Sequence, residues 1–361
     1  MSVQRPPSET SASSGRSSIG DDLPMVSIVV PTYNRCEVTR TTLRHLVDGD
    51  YPADRLEIIV CDNSSDDTPQ MARSFGEQTD VAIHVQHSDE RLPAVKRNQG
   101  LLAARGEFVI FMNDDVWVRP DFVRCHVEAH RAAGRPVAVL GHCEQSPRME
   151  HTPFLDWYPP FAYFLLDDQA GQALTYRFSW SMNLSFPRQV MLDQNLLFHE
   201  DWAVIGSEDV ELGRRWIQAG HDLLYEPRAW GEHYHPHDLD SASRLQESIG
   251  RGLRDLEHLV QDPTMLESYG IFTWQNSPKG IVRGLVRRGL FNARTIPVLR
   301  RWVDTRERSN RLADWMYPKV LLHSTNRGYT AQAQRRPAAR PIVSETARSS
   351  RTEAQRTTVA A

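Results

Sequence analysis

Short apolar runs alternate with amphipathic stretches along the first third of the chain. Val26–Val30, Leu56–Cys61, Val81–Val85 and Phe108–Met112 are rich in β-branched and large apolar residues. Runs of this length read as strands, and the last of them as one buried in a parallel sheet. Between them, Glu37–Val47, Thr68–Phe75 and Pro93–Ala104 predict helices, the first with Val38, Leu43 and Leu46 among its apolar positions, the third stopped by Gly106. Strands alternating with helices predict a parallel, doubly wound α/β sheet. Further on, Tyr176–Phe186 predicts another strand. Gly206–Trp216 predicts a helix start with Ser207 as N-cap and acids in its first turn. Asp222–Tyr225 predicts a short strand that leads through Pro227 into the His-rich stretch Gly231–His237. No internal repeat is visible.

Composition sets the boundaries. Residues 1–24 are rich in Ser, Pro and Gly without an apolar segment, and read as a disordered tail and not a signal peptide. Residues 25–240 hold the α/β pattern, 241–327 read as a largely helical region, and 328–361 as a second polar, disordered tail. No apolar run approaches the ~18 residues of a membrane span. Cys36, Cys61, Cys125 and Cys143 form no CxxC pair, which suits reduced thiols and a cytoplasmic setting. The net charge of -4 hides a division of sign. From Ser277 onward there are 18 Lys+Arg against 5 Asp+Glu, a balance of +13 that leaves -17 on the residues before it.

The chemistry concentrates where Phe108–Met112 runs into Asn113-Asp114-Asp115. Ligand sites of open α/β sheets lie beyond the carboxyl ends of such strands. Two adjacent carboxylates there call for a compensating cation, and a hard divalent metal carrying a phosphate is a natural candidate. An acidic turn is the plainer alternative. Between His151 and Leu166, Phe154, Trp157, Tyr158, Phe161, Tyr163 and Phe164 crowd around Pro159-Pro160, as core or as an acceptor-binding wall. Ile281, Val282, Leu285, Val286 and Leu290 form an apolar helix face with Arg283, Arg287 and Arg294 elsewhere. Such a helix packs on the acidic body or a second subunit, or lies at an anionic membrane face as a peripheral contact. Nucleic acid is not expected, since no recognition motif accompanies the charge.

Val26–Arg35 (VSIVVPTYNR), Glu57–Asp67 (EIIVCDNSSDD), Arg97–Val116 (RNQGLLAARGEFVIFMNDDV) and Gly206–Arg215 (GSEDVELGRR) with the later His233 occur in an order that resembles the family 2 glycosyltransferases of GT-A fold. The resemblance covers about residues 25–237. It implies a mostly parallel central sheet flanked by helices, here with a helical C-terminal extension, and transfer of a sugar from a nucleotide-diphosphate donor to an acceptor hydroxyl.

By this resemblance Pro31, Tyr33, Arg35, Asp62, Arg97 and Asp114 belong to the nucleotide site. Asp62 would accept a hydrogen bond from the base, which favours a UDP- or dTDP-sugar and leaves a GDP-sugar open; by itself it is equally a turn-forming aspartate. Arg97 would contact a phosphate or hold the acids in place. The family's Asp-x-Asp motif reads Asn113-Asp114-Asp115 here, one acid fewer. That shifts the ligand role for Mn²⁺ or Mg²⁺ onto Asp115, with His233 completing the shell in competition with His235 and His237. Glu208-Asp209 matches the acidic pair beside the acceptor, with Asp209 as general base of an inverting transfer and Glu208 raising its proton affinity or binding an acceptor hydroxyl. Acids in any first helical turn also complement the helix dipole. The acceptor is open: a glycan, a lipid carrier or a small natural product. Two rival readings remain, a non-catalytic nucleotide-sugar-binding scaffold, supported by Asn113, and a nucleotidyltransferase.

Overall fold

The computed structural model describes residues 23–158, 163–200, 207–260, 289–304 and 311–332, with single positions at 161, 266, 269, 282, 284 and 285. Residues 1–22 and 333–361, Pro159-Pro160, Gly206 and much of the basic helix Ile281–Arg294 lie outside the described residues.

Among the described residues eight strands form one sheet: β1 (Val26–Thr32), β2 (Leu56–Asp62), β3 (Ala82–His87), β4 (Phe108–Met112), β5 (Val116–Val118), β6 (Val137–Gln145), β7 (Asn183–Pro187) and β8 (Asp222–His233), in the order β3-β2-β1-β4-β7-β6-β8-β5. The first half is parallel, as the alternation of elements predicts: β1 pairs with β2 and β4, and β2 with β3. The other half is mixed. β7 runs antiparallel to β4 and β6, β5 antiparallel to β8, and β6 parallel to β8. The sheet as a whole is therefore mostly parallel, as the resemblance implies. No helix of crossover length separates β4 from β5, so β5 joins the far edge.

Helices α1 (Cys36–Val47), α2 (Thr68–Gly76), α3 (Pro93–Ala103) and α4 (Phe122–Ala133) follow or precede the strands within a residue or two of their predicted limits where the sequence read them. Their apolar faces and the strands β1, β2 and β4, every one of whose apolar side chains except Pro31 is buried, share one core. After the short helices α5 (Pro153–Trp157) and α6 (Arg188–Asp193), α7 (Glu208–Gln218) is pinned to β8 by Trp216, fully buried, whose Nε1 donates to the Asp222 carbonyl at 2.9 Å.

Three expectations change. Tyr176–Phe186 is not one strand: Tyr176–Phe178 is a 3-10 turn and only Asn183–Pro187 is extended. Phe178 and Trp180 turn inward to pack edge-on at 5.4 Å, which breaks the alternation of a strand. Ser207 precedes α7, but its φ of 77° is left-handed and its side chain makes no capping bond, because a side-chain cap needs extended backbone. The C-terminal helix runs past Gly328. Here α8 (Leu239–Val260), α9 (Thr295–Asp304) and α10 (Arg311–Gln332) form a second core with Phe154 and Tyr158. A Cβ on Gly328 would stand 1.9 Å from the Glu247 carbonyl oxygen, and one on Gly250 2.0 Å from that of Thr325. The two helices touch backbone to backbone there, which composition alone reads as a polar tail.

Candidate active site

The site lies at the carboxyl ends of β1, β2 and β4. Asp114 and Asp115 leave β4 and are 5% and 1% exposed. Pairing of β5 with β8 sets Val116 opposite His233, and the Tyr234 N–H donates to the Asp115 carbonyl at 2.8 Å. Two segments far apart in sequence are thereby fastened together. His233 Nε2 lies 3.4 Å from Asp115 Oδ1, and His235 Nδ1 lies 2.7 Å from Asp115 Oδ2. One ligand atom from each of Asp115, His233 and His235 falls within 4.8 Å of the others. Asp115 Oδ1 is buried without a hydrogen-bond partner, an orphan of the kind that a bound ion satisfies. Two imidazoles and a carboxylate suit Mn²⁺ better than Mg²⁺. His235 therefore joins His233, whereas His237 packs edge-on against Tyr158 at 5.4 Å and burial pushes its pKa down to about 3.

Arg35 is the present counter-charge. Its Nη1 lies 2.9 Å from Asp114 Oδ1 and 2.8 Å from Asp115 Oδ2. Asp114 also accepts from Thr32 Oγ1 at 2.7 Å, and its own carbonyl accepts from Thr42 Oγ1 at 2.6 Å. Burial and the neighbouring Asp115 push the Asp114 carboxyl up to about 6. Burial acts on Asp115 in the same sense, but His233, His235 and Arg35 together hold it well below the usual carboxylate range.

A second acidic centre sits on α7. Arg97, 5% exposed on α3, reaches Glu208 Oε1 at 3.0 Å and Asn113 Oδ1 at 3.3 Å. It ties the segment after β4 to the start of α7. The amide of Asn113 is its acceptor, a task that needs no additional charge. Asp209 accepts from the Ser181 N–H and Oγ at 3.1 and 3.3 Å and from the Val210 N–H at 2.8 Å. Burial, then the neighbouring Glu208, raises its carboxyl to about 6. The approach of α7 depends on Gly213: a Cβ there would stand 1.7 Å from Ser179 Oγ.

At the end of β2, Asp62 is 2% exposed and closes a turn by accepting from the Ser64 N–H at 3.1 Å and from its hydroxyl. Two carboxylate oxygens have acceptor capacity beyond those bonds. The Tyr33 ring lies under the Arg91 guanidinium at 4.5 Å, at the end of β1 beside Pro31. Next to it opens a cavity of about 540 Å³ lined by Asn63, His87, Ser88, Arg91 and Leu92 among others. Lys96, 2% exposed, was not singled out by pattern. Its Nζ donates to the Thr32 carbonyl at 2.6 Å and to Asn63 Oδ1 at 2.7 Å, joining the β1 and β2 ends. The one available signal was a lysine on the α3 turn that also carries Arg97. The aromatic segment splits: Phe154 and Tyr158 are core, Phe161 packs on His233 at 5.9 Å, and Phe164 is 63% exposed.

The chain is similar to known proteins. A sequence profile described as Glycosyl transferase family 2 matches residues 27–185. A validoxylamine A glucosyltransferase of Streptomyces hygroscopicus subsp. jinggangensis is 25% identical over 250 residues, covering 62% of this chain and 59% of that protein. An uncharacterized glycosyltransferase of Bacillus subtilis, YfnE, is 28% identical over 272 residues, 62% of this chain and 68% of that one. The chain thus spans less than two thirds of the length of the validoxylamine A relatives. Among solved structures, the mannosyltransferase PcManGT of Pyrobaculum calidifontis, in complex with GDP-Man and Mn²⁺, superposes with a TM-score of 0.58 at 18% identity, covering 85% of this chain and 87% of that one. Residues 27–185 thus match glycosyl transferase family 2, and the architecture is that of the GT-A fold.

Proposed function

We propose that this chain is an inverting, metal-dependent glycosyltransferase that moves a sugar from a nucleotide-diphosphate donor to an acceptor hydroxyl. The observation that carries the reading is the convergence of two separate acidic centres at one sheet end, Asp114-Asp115 with two histidines and Glu208-Asp209 with Arg97. Asp209 acts as general base. Its carboxyl, raised to about 6, is ionised at neutral pH yet proton-seeking, which suits it to take the acceptor hydroxyl's proton as that oxygen attacks the anomeric carbon. Glu208 keeps that affinity high and is itself held by Arg97. Asp115, His233 and His235 would hold Mn²⁺ or Mg²⁺. Such an ion, when bound, neutralises charge on the departing diphosphate. Asp114 and Arg35 meet the ribose and phosphates, and Pro31, Tyr33 and Asp62 meet the base, with a UDP- or dTDP-sugar favoured over a GDP-sugar.

Among the described residues no helix is long and apolar enough to cross a membrane. We place the reaction in the cytoplasm, where nucleotide-sugars are available, with the basic C-terminal region as a contact to a membrane face or a second copy. Calorimetry with UDP-, dTDP- and GDP-sugars in the presence of Mn²⁺ tests the reading. Binding of one donor is expected, retained in Asp209→Asn while transfer is lost. A protein that binds none of them, or an Asp209→Asn variant with full transfer, overturns it.

A further inference from the structure

The donor and metal roles leave a concavity among the described residues without a task. A pocket of about 290 Å³ opens beside His233, between the end of β6 and the segment that precedes β7. This is near the lower limit of the ~300–1,000 Å³ typical of small-molecule sites. Phe161 and the exposed Phe164 give it an apolar wall, and His142, Glu144, Tyr163 and Asp167 give it polar groups. The wall reaches the general base. Tyr163 packs edge-on against Trp180 at 4.9 Å, and the next residue, Ser181, donates to Asp209.

The charge of the pocket is one-sided. His142 bridges the Tyr225 hydroxyl, 2.5 Å from its Nδ1, and Glu144 Oε1, 3.2 Å from its Nε2. Burial raises the Tyr225 phenol's pKa, and Asp167 and Glu144 add to the rise, so both carboxylates act on that hydroxyl. Among the described residues neither carboxylate pairs with a Lys or Arg; His142 is the only basic partner of Glu144. Tyr163 is 4% exposed, and its hydroxyl, beside the Cys143 thiol, makes no hydrogen bond of ordinary geometry. A buried hydroxyl in that condition costs about 1–3 kcal/mol unless something meets it.

We propose that this pocket is the acceptor site and that it selects a polyhydroxylated ring bearing a protonated amine, such as an amino sugar or an aminocyclitol. The acceptor role rests on the transferase reading; the ligand class rests on the pocket alone. An ammonium brings three N–H donors and no acceptor, which matches two carboxylates that no Lys or Arg meets among the described residues. The ring's hydroxyls meet Tyr163 and His142, and its apolar face lies on Phe161 and Phe164. A neutral sugar would use the same wall but bring no charge to the two exposed carboxylates.

The test is ligand-observed NMR titration of the full chain with D-glucosamine, N-acetyl-D-glucosamine and D-glucose. The proposal expects D-glucosamine to bind about five-fold tighter than either neutral probe, the size of a partly exposed ion pair. Glu144→Gln/Asp167→Asn, with unchanged circular dichroism, should erase that preference while neutral probes bind as before. Equal binding of the three probes, binding of none, or a preference that survives the double variant overturns the proposal. Donor titration on the same samples separates the two ideas. Donor binding without amine preference sinks the acceptor class alone, whereas amine preference without donor binding supports the pocket and sinks the transferase reading.

Discussion

Replacing the proposed base should make the protein more stable. The Asp209 carboxyl is raised from 3.8 to about 6, with burial the largest cause and Glu208 the next. Each pH unit corresponds to about 1.4 kcal/mol, so keeping this group ionised at neutral pH costs the fold up to about 3 kcal/mol. Asparagine retains an acceptor for the Ser181 N–H but turns its NH₂ toward the Val210 N–H and loses that bond, about 1 kcal/mol. Asp209→Asn should therefore gain about 1–2 kcal/mol at about pH 8. The sign follows from proton uptake. Between pH 3.8 and about 6 the folded state binds more protons at this site than the unfolded chain, so the native protein loses stability as pH climbs through that window. The variant has no such loss, and its advantage should vanish by about pH 4. Urea unfolding at the two pH values reads this directly. The same substitution should lower transfer about 10²- to 10⁴-fold, and native kcat/KM should fall on the acid side with a midpoint of about 6. A variant less stable than the native chain at about pH 8, or a stability difference that ignores pH, would refute a desolvated, Glu208-crowded carboxylate at this position.

Arg35→Met removes the guanidinium that touches both Asp114 and Asp115, and should lower stability by about 1–3 kcal/mol, less than a fully buried pair because Arg35 is partly exposed. Mn²⁺ should raise the melting temperature of this variant more than that of the native chain; an equal or smaller response would show that the Asp115–His233–His235 group does not take the ion. Gly328→Val should split the α8–α10 contact, since its Cβ meets the Glu247 carbonyl oxygen at 1.9 Å, and cost at least about 1–3 kcal/mol in urea unfolding. Gly289→Ala, with nothing within 4 Å of the added carbon, should change stability by no more than about 0.5 kcal/mol in the same assay. Similar values for both would refute the close helix crossing.

Much of the first half of the sheet was legible from the chain alone. β1, β2 and β4 are continuous apolar runs because both their faces are covered, and α1 to α3 follow from local spacing and turn chemistry. The position of Asp114-Asp115 at a strand end needed only that reading. The second half was less legible. β8 extends far beyond the short strand expected at Asp222–Tyr225, because its outer part, with Gly231 and His233, is held by partners on β5 and β6 and not by its own apolar pattern. The parity of His235 with His233, the clasp of Arg97 on Glu208 and the buried seat of Lys96 share that origin. Each joins side chains from elements distant in sequence. The chain by itself determined which segments become strands and helices and where its acids emerge, since burial period and turn residues act within a few positions. Only the tertiary structure decided which cation, histidine or arginine faces each acid, because strand order and register bring those groups within reach, and no local pattern encodes a pairing made across the sheet.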